Sequence, residues 1–310
     1  MIYTLTLNPA IDLELTVSDI SFDKVLRATK SRVDCGGKGF NVSRALVALG
    51  EKSVAMGFIG GKTGERLEVE LSRMGIETNF VRVVGETRTN VSIVIEPPSR
   101  YIKVNEPGPT VNLEEQHELI KKIRLLAQSN DFWVLSGSLP PGVSNGMYAD
   151  VINEVQSEGA KAMLDTSDIP LKDGIEAGPF MVKPNAEEAR QLTGVEILVP
   201  DDALMAAQRI HDYGVDVVII SFGREGAMLS WGDRAWLAKP PPVVEQNPIG
   251  AGDALMAGFV WGLNHQFSPP EALRTGVACG TSAASLPGTK MGNIKLINSI
   301  NSQTQITRIV

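Results

Sequence analysis

Short apolar runs and amphipathic stretches alternate along the chain, and the alternation becomes regular from Leu113 onward. The apolar runs predict strands 2–7, 53–59, 132–136, 161–165, 180–183 and 216–221, with turn-rich strands within 227–238. Apolar residues at helical spacing predict helices 41–49, 64–74, 113–128, 145–158, 186–193, 201–213, 252–264 and 269–286, and a short amphipathic stretch near 293–300. Strands that alternate with helices favour an α/β fold, in which helices cover both faces of a mostly parallel sheet.

Two β-rich stretches of the N-terminal third do not fit this rhythm. Extended segments are predicted at 13–17, 25–34, 78–84, 89–96 and 101–104. Those near 12–34 and 87–105 are predicted to form a small separate sheet that could act as a lid. Neither an internal repeat nor a low-complexity linker divides the chain, so we expect one domain over 1–310 with this lid inserted.

Composition narrows the classes of partner. The 310 residues are 43% hydrophobic and 21% charged, with a net charge of −7, as in an ordinary soluble globular protein. The acidic balance lacks the basic stripe of a nucleic-acid binder, and an anionic ligand would need local basic groups. Cys35 and Cys279 lie far apart and near no His, which favours reduced thiols. Without a signal peptide or an 18-residue apolar run, we expect a cytoplasmic protein with neither nucleic-acid nor membrane partners.

The strongest chemical signal is Gly250-Ala251-Gly252-Asp253, at the start of a predicted helix. Unpaired amides at a helix N-terminus attract an anion, and glycines let the backbone approach it closely. Asp253, in the first turn, has the chemistry to accept a proton from an attacking hydroxyl. An acidic residue that merely stabilises the first turn fits the same pattern, so the residues alone leave both interpretations open.

A second glycine-rich segment, 36–41, also precedes a helix. The amides of this segment and Lys38 could contact a polar or anionic ligand, and Asn41 could bind hydroxyls; a plain glycine-rich turn is the alternative. The segment 57–63 is not a phosphate-binding Walker loop, because Met56 stands where the first glycine is needed. The three histidines are scattered, which argues against a metal site or a catalytic triad built on them.

Two further segments follow predicted strands. In Lys183-Pro184-Asn185-Ala186-Glu187-Glu188, the side chains of Asn185 and Glu188 could share one helix face, aimed at a hydrated Mg²⁺. A capping box is the alternative for this pair. The segment 221–226 lies at the carboxyl end of a strand, where open α/β sheets bind ligands, but a tight turn explains it equally well.

Together these segments resemble the PfkB family of ribokinase-like sugar kinases, over nearly the whole chain. The resemblance rests on the segments 4–12, 36–46, 87–91, 105–109 and 136–142, and on the stretch from Asp165 to the closing Gly-Ala-Gly-Asp of 250–253. Within the family, the chain is most similar to the branch that phosphorylates sugar phosphates. The resemblance implies a ribokinase-like three-layer αβα sandwich with a β-sheet lid, and transfer of the γ-phosphate of ATP to a sugar-phosphate hydroxyl.

The resemblance also implies roles for individual residues. Asp253 would be the catalytic base, with Gly250, Ala251 and Gly252 beside the transferred charge. The substrate would be bound by Asp12, Arg27, Gly37, Lys38, Asn41, Arg88, Asn90, Lys103 and Ser138, of which Lys38, Arg88, Arg27 and Lys103 would hold the phosphate already on the sugar. The ATP site would comprise Lys183, Asn185, Glu188, Ser221, Gly223, Gly226, Gly280 and Ser282, with Mg²⁺ bound to Glu188 through water.

One implied feature carries less support from the residues. Some relatives bind a monovalent cation near 287–290, but Leu286-Pro287 offers few polar side chains for K⁺ here. The exposed lid sheet could pair with its copy in a homodimer.

A non-catalytic sugar- or nucleotide-binding regulator on the same fold is the competing class of function. The presence of Asp253 argues against it, since a regulator needs no base.

Overall fold

The structure, a computed structural model, describes residues 1–95 and 100–310. Its strands are β1 Ile2–Thr6, β2 Ala10–Val17, β3 Lys30–Gly36, β4 Val54–Ile59, β5 Glu77–Thr78, β6 Val81–Arg82, β7 Arg88–Ile95, β8 Arg100–Val104, β9 Phe132–Ser136, β10 Lys161–Asp165, β11 Met181–Val182, β12 Val217–Ser221, β13 Ala227–Trp231, β14 Arg234–Lys239 and β15 Gln305–Arg308. Its α-helices are α1 Lys38–Ala48, α2 Gly61–Arg73, α3 Leu113–Leu126, α4 Met147–Ser157, α5 Asp168–Ile175, α6 Ala186–Thr193, α7 Pro200–His211, α8 Ala251–Asn264, α9 Pro269–Ala284 and α10 Ile294–Gln303.

The main sheet has a parallel centre and an antiparallel edge. Within the described residues it has eleven strands in the order β15-β14-β13-β12-β11-β10-β9-β1-β4-β5, and β6 also pairs with β4. The strands from β4 to β12 along this order are parallel, whereas β13, β14 and β15 are antiparallel to their neighbours. Parallel neighbours direct all their carboxyl ends to one edge, so the loops that follow β1, β9, β10, β11 and β12 gather there.

Helices bury both faces of this sheet. Along β9, Trp133 and Leu135 join one hydrophobic cluster, and Phe132 and Val134 join the other, as the two-residue period of a strand requires. Helices α3, α4, α5, α6 and α7 contribute to the first cluster, and α1, α8, α9 and α10 contribute to the second. The predicted α/β class with a mostly parallel sheet between two helical layers is therefore confirmed.

A second sheet stands beside the carboxyl edge of the first. In the part of the chain that the structure describes, it has the order β3-β2-β7-β8, with β2 and β7 parallel. The chain passes from β1 through Asn8 and Pro9 directly into β2, so β2 begins close to the end of a central strand of the main sheet. The predicted small sheet is therefore present, while its motion as a lid and the single-domain division stay predictions.

Several predicted boundaries differ from the structure. The stretch 25–29 is not a strand, since β3 begins at Lys30, and the extended stretch 78–84 holds only the short strands β5 and β6. Glu96, at the end of another predicted strand, lies outside the described residues. Helix α2 begins at Gly61 rather than residue 64, because the Glu86 carboxylate accepts hydrogen bonds from the amides of Lys62 and Thr63. Such a cap across 23 residues leaves no local pattern.

Two elements have no counterpart among the predicted ones. Helix α5 contains Pro170 in its first turn, where proline is tolerated, and Gly174, and both residues disguise a helix this short. Strand β15 pairs antiparallel with β14, a contact between residues about 70 positions apart that hydrophobic periodicity does not report. None of the described helices is long and apolar enough to cross a membrane.

Candidate active site

A cavity of about 1150 Å³ lies where the carboxyl ends of the parallel strands meet the second sheet. The main sheet contributes Thr6 at the end of β1, Asp165 at the end of β10 and Ser221 at the end of β12. The second sheet contributes Asp12 on β2 and several residues of β7 and β8. The cavity therefore occupies the place at which open α/β sheets bind ligands.

Most residues singled out from the sequence line this cavity. They are Asp12, Gly37, Lys38, Asn41, Arg88, Asn90, Lys103, Ser138, Lys183, Asn185, Glu188, Ser221, Gly223, Gly226, Gly250, Ala251, Gly252, Asp253 and Gly280. Arg27 and Ser282 do not. Arg27 is exposed between β2 and β3, and Ser282 is fully buried in α9, where Thr281 faces the cavity instead.

Asp253 is a buried carboxylate at the floor of the cavity. Its side chain accepts a hydrogen bond from Asn41 Nδ2 at 2.8 Å, and 5% of the residue is exposed. Burial, followed by the charge of Asp165, raises the pKa of Asp253 to about 6, against the lowering effects of Lys38, Asn41 and Lys183. Among the described residues this carboxylate accepts its hydrogen bond from Asn41 and none from the first amides of α8, so it does not cap the helix through hydrogen bonds. A buried carboxylate with a pKa near neutrality suits proton abstraction.

The N-terminus of α8 presents amides to the same space. Gly250 precedes it in the left-handed region (φ 84°), a conformation that favours glycine. The Ala251 amide donates to the carbonyl of Pro248 at 3.2 Å, so the predicted role of this amide in binding transferred charge does not fit the geometry. The amides of Gly252 and Asp253 have no acceptor among the described residues. An anion at the helix N-terminus would therefore meet these two amides and the positive end of the helix dipole.

Asp165 forms an ion pair with each of two lysines in the centre of the cavity. Its carboxylate is 1% exposed and lies 3.1 Å from Lys38 Nζ and 3.3 Å from Lys183 Nζ. Burial opposes the ionisation of Asp165, but the two ammonium groups outweigh it, and its pKa lies below its usual range. Asp165 also raises the pKa of Lys38 well above its usual range. Asp165 and Lys38 are therefore both charged at neutral pH.

No functional role was predicted for Asp165, although it bounds one of the segments that resemble the PfkB family. A signal was available in the sequence. Asp165 directly follows the buried apolar run Ala162-Met163-Leu164 of β10 and lies at the edge of the sheet where ligands bind. The structure also gives Lys38 a partner that was not predicted. Its ammonium contacts Asp165, beside the base.

The second sheet supplies a polar wall. Asp12 and Asn90 lie opposite each other on β2 and β7, and Asn90 Nδ2 donates to Asp12 Oδ1 at 2.8 Å. A Cβ at residue 36 would come within 2.5 Å of Asp12 Oδ2, so Gly36 leaves the room in which this carboxylate lies. The Oδ1 atom of Asn90 is buried without a donor in the described part of the chain. Both residues line the cavity, and the Asp12 carboxylate can accept hydrogen bonds from the hydroxyl groups of a sugar.

Arg88 is held at the rim of the cavity by backbone acceptors. Its Nη2 donates to the carbonyl of Asn8 at 2.8 Å, and its Nη1 donates to the carbonyl of Glu106 at 3.0 Å. The Ser138 Oγ lies 3.5 Å from the same Nη2, and Lys103 lines the cavity from β8. Neutral acceptors orient the guanidinium while its positive charge remains available to an anion.

At the other end, Asn185 and Glu188 form a capping box on α6. The Oδ1 of Asn185 accepts from the amide of Glu188 at 2.9 Å, and the Oε2 of Glu188 accepts from the amide of Asn185 at 2.8 Å. The capping alternative is therefore correct, and the same hydrogen bonds fix the carboxylate of Glu188, which lines the cavity and could meet a hydrated Mg²⁺ there. Among the described residues, no three His, Cys, Asp or Glu side chains cluster as a metal site.

The loop after β12 and an apolar wall complete this end. Gly223–Glu225 form a 3₁₀ turn, and Gly226 has a φ of 97°; a Cβ there would come within 1.9 Å of the carbonyl of Ala238. Pro240 and Val243, from the loop after β14, and Val277 of α9 add an apolar surface that was not predicted, because isolated apolar loop residues carry no periodic signal. An apolar surface of this kind fits a nucleobase.

Comparison with known proteins places this site in a class. The profile of the pfkB family carbohydrate kinases matches residues 4–295. A 1-phosphofructokinase of Vibrio cholerae is 33% identical over 99% of this chain and 97% of its own. A tagatose-6-phosphate kinase of Staphylococcus epidermidis is 32% identical over the full length of both chains. Phosphofructokinase-2 from Escherichia coli in complex with potassium is 32% identical, with a TM-score of 0.92 over 97% of this chain and 98% of its own.

The fold and the site thus define a phosphotransferase that acts on an alcohol group of a carbohydrate. The chain belongs to the pfkB family of carbohydrate kinases, as the resemblance of its motifs indicates. ATP and Mg²⁺ are the phosphoryl donor and metal that this class of kinase uses, and the residues at the nucleotide end of the cavity fit both.

Proposed function

We propose that the protein transfers the γ-phosphate of ATP to D-fructose 1-phosphate and forms fructose 1,6-bisphosphate. The observation that carries this proposal is the buried carboxylate of Asp253, held by Asn41 between a cationic end at Arg88 and a nucleotide end at Glu188. An acidic protein offers no general attraction for anions, so the basic groups in the cavity favour a substrate that already carries a phosphate. The 1-phosphofructokinase relative supports fructose 1-phosphate as that substrate.

The geometry suits direct phosphoryl transfer. Asp12, Asn90 and Asn41 would orient the sugar, so that its free hydroxyl faces Asp253. The hydroxyl would lose its proton there as its oxygen attacks the γ-phosphorus, whose bond to the bridging oxygen breaks to release ADP. The amides of Gly252 and Asp253, with Lys183 beside them, would stabilise the charge on the transferred group. Glu188 would hold a hydrated Mg²⁺ near the ATP phosphates, and the metal would supply charge neutralisation there.

A coupled assay of ADP release across four acceptors tests the substrate. Fructose 1-phosphate, fructose 6-phosphate, tagatose 6-phosphate and free fructose would be compared at equal ATP and Mg²⁺. We expect the highest kcat/KM with fructose 1-phosphate and the lowest with free fructose, which lacks the charge that Arg88 and Lys103 bind. A preference for tagatose 6-phosphate would favour the alternative that the Staphylococcus epidermidis relative supports. Binding of sugar and ATP without any turnover would favour the non-catalytic regulator.

The pKa of Asp253 predicts the pH dependence of turnover. A base works only when it is charged, and a pKa of about 6 leaves Asp253 mostly protonated below that pH. The kcat/KM for the sugar phosphate should therefore be constant above about pH 7 and fall about ten-fold per unit once the pH is below the pKa. The charged groups that face Asp253 are Asp165, Lys38 and Lys183; the pKa of Asp165 is lowered and that of Lys38 is raised, so both shifts lead away from this range. A profile that stays flat to about pH 5 would remove Asp253 as the titrating base.

Potassium is a separate part of the proposal. The loop 287–290 turns at Gly288 in the left-handed region, and the carbonyls of Gly288 and Thr289 accept from Asn247 and Arg44. Each carbonyl keeps a second lone pair, and the Escherichia coli relative has been crystallised with potassium. We expect higher turnover in KCl than in tetramethylammonium chloride at equal ionic strength. Equal rates in the two salts would remove K⁺ from the cofactors.

We also propose that the second sheet is a lid and a dimer contact, and that the protein works in the cytoplasm. The second sheet exposes Tyr101, Ile102 and Val104 of β8, which form an apolar strip on its edge strand. Arg27, exposed beside this sheet, could then serve a substrate only in a closed or assembled form. Light scattering in solution measures the mass, and a monomer at micromolar concentration would contradict the dimer.

A further inference from the structure

Asp165 joins two lysines that come from opposite sides of the cavity. Lys38 begins α1, next to the loop that carries the sugar-side residues, and Lys183 follows β11, next to the nucleotide-side residues. Lys38 Nζ contacts Oδ1 of Asp165, and Lys183 Nζ contacts Oδ2, so one carboxylate sets the spacing of both ammonium groups. The side chains of Asp165 and Lys183 are almost fully buried, at 1% and 6% exposed.

Both ammonium groups lie close to the proposed point of reaction. Lys183 Nζ would stand 3.2 Å from a Cβ on Gly252, which places it against the first turn of α8. Lys38 and Asp253 interact electrostatically, and the side chain of Lys38 is 41% exposed to the cavity. The two lysines and the free amides of that turn thus surround the position next to the base.

Lys38 lacks a second anchor that would keep it there. Asp165 is the only described residue whose side chain accepts a hydrogen bond from its ammonium group. A lysine stem has four rotatable bonds, so an unanchored Lys38 would lose its orientation and spend part of its time elsewhere in the cavity. The carboxylate of Asp165 supplies the fixed partner, and its burial makes the partner rigid.

We propose that Asp165 is a positioning residue that holds Lys38 and Lys183 on two sides of the transferred phosphoryl group, so that Lys38 acts on that group and not on the phosphate already carried by the sugar. This inference rests on the proposed kinase function and deepens it. It leaves the phosphate of the substrate to Arg88 and Lys103, the two cations that the second sheet contributes to the lining of the described cavity.

Asp165→Asn tests the proposal, because asparagine keeps the shape and removes the charge. We expect kcat to fall about 10²-fold, in the range observed when one preorganised charge-stabilising group is lost, while the KM for the sugar phosphate changes less than about three-fold. The acid limb of the pH profile should also move to lower pH, since the negative charge of Asp165 no longer raises the pKa of Asp253 and both lysines still lower it.

Asp131→Asn is the matched control. Asp131 is also a buried aspartate in an ion pair, with the amino group of Met1, and it lies outside the cavity. Its replacement should lower the temperature of unfolding without moving the pH profile. An Asp165→Asn variant that behaves like this control, with unchanged kcat and acid limb, would overturn the inference while the wild-type substrate panel continues to stand or fall independently.

Lys38→Met covers the case in which Asp165→Asn fails to fold. If Lys38 acts on the transferred group, its loss lowers kcat for phosphorylated and free sugars alike. If it binds the phosphate of the substrate, only the KM for phosphorylated sugars rises, and the inference is overturned. In a double variant that folds, the two changes should not act independently, because both remove the contribution of Lys38. The loss in kcat should therefore be well short of the product of the two single losses.

Discussion

Asp253→Asn should lower kcat by about 10³- to 10⁴-fold, the upper range for a positioned general base, while the binding of ATP remains nearly unchanged. Asparagine has the size of aspartate but accepts no proton at these pH values. The change leaves the Gly252 amide and Lys183 in place, so the contacts that we assign to the nucleotide phosphates persist. Loss of turnover with retained ATP affinity is therefore the expected signature.

The measurement combines steady-state kinetics with titration of ATP by calorimetry. Asp150→Asn is a suitable control, because Asp150 is also an acidic residue in a first helical turn, that of α4, and it does not line the cavity. This control should keep wild-type kcat. Near wild-type activity in Asp253→Asn would reject Asp253 as the base, whereas equal loss of turnover and of ATP affinity would point to a disturbed nucleotide site.

Arg88→Ala should raise the KM for the sugar phosphate by about 10- to 100-fold, the cost of one hydrogen-bonded charge, and should change the KM for ATP less than two-fold. The guanidinium lies at the sugar end of the cavity, and the carbonyls of Asn8 and Glu106 already orient it. A substrate phosphate would therefore meet a pre-organised cation. Free fructose, which carries no phosphate, should be used equally poorly by both enzymes.

Arg100→Ala provides the comparison for Arg88→Ala. Arg100 lies on the same small sheet, in β8, but it does not line the cavity. Its removal takes one positive charge from the sheet without touching the proposed phosphate contact, so both KM values should stay as in the wild type. A similar rise in both KM values for Arg88→Ala would show that the arginine supports the site as a whole and does not bind the substrate phosphate.

The parts of the fold that were predictable from sequence are those with a strong local pattern. Strands 132–136 and 161–165 have the predicted bounds, since fully buried parallel strands are continuous apolar runs between polar turns. Helix α6 also has its predicted bounds, because its capping box and the left-handed Gly194 mark both ends in the sequence. Helix α2 begins earlier than predicted, because the side chain that caps it belongs to residue 86.

The residues of the site likewise include some that a local pattern marks and others that only the fold brings together. Asp253 and Asn41 are recognisable because each lies beside glycines at a helix start, but their hydrogen bond joins residues 212 positions apart and only the fold brings them together. The bridging role of Asp165 depends on two lysines from different elements, at separations that no motif spans. The direction of a long side chain such as Lys38 is likewise decided by its partner and not by its position in the sequence.

The small sheet has a consequence for how a kinase of this kind avoids consuming ATP without a sugar. Its strands β2 and β7 carry Asp12, Asn90 and Arg88, so the sheet that we propose as a lid also carries the residues that we propose bind the sugar. If the sheet closes in this way, covering the cavity and recognising the sugar share one free energy. A sugar that lacks a hydroxyl or a phosphate forfeits cover as well as contact, and its penalty should appear in the rate of transfer in addition to affinity. Water, which contacts none of these groups in a fixed geometry, would be a poor acceptor because it cannot hold the sheet in place.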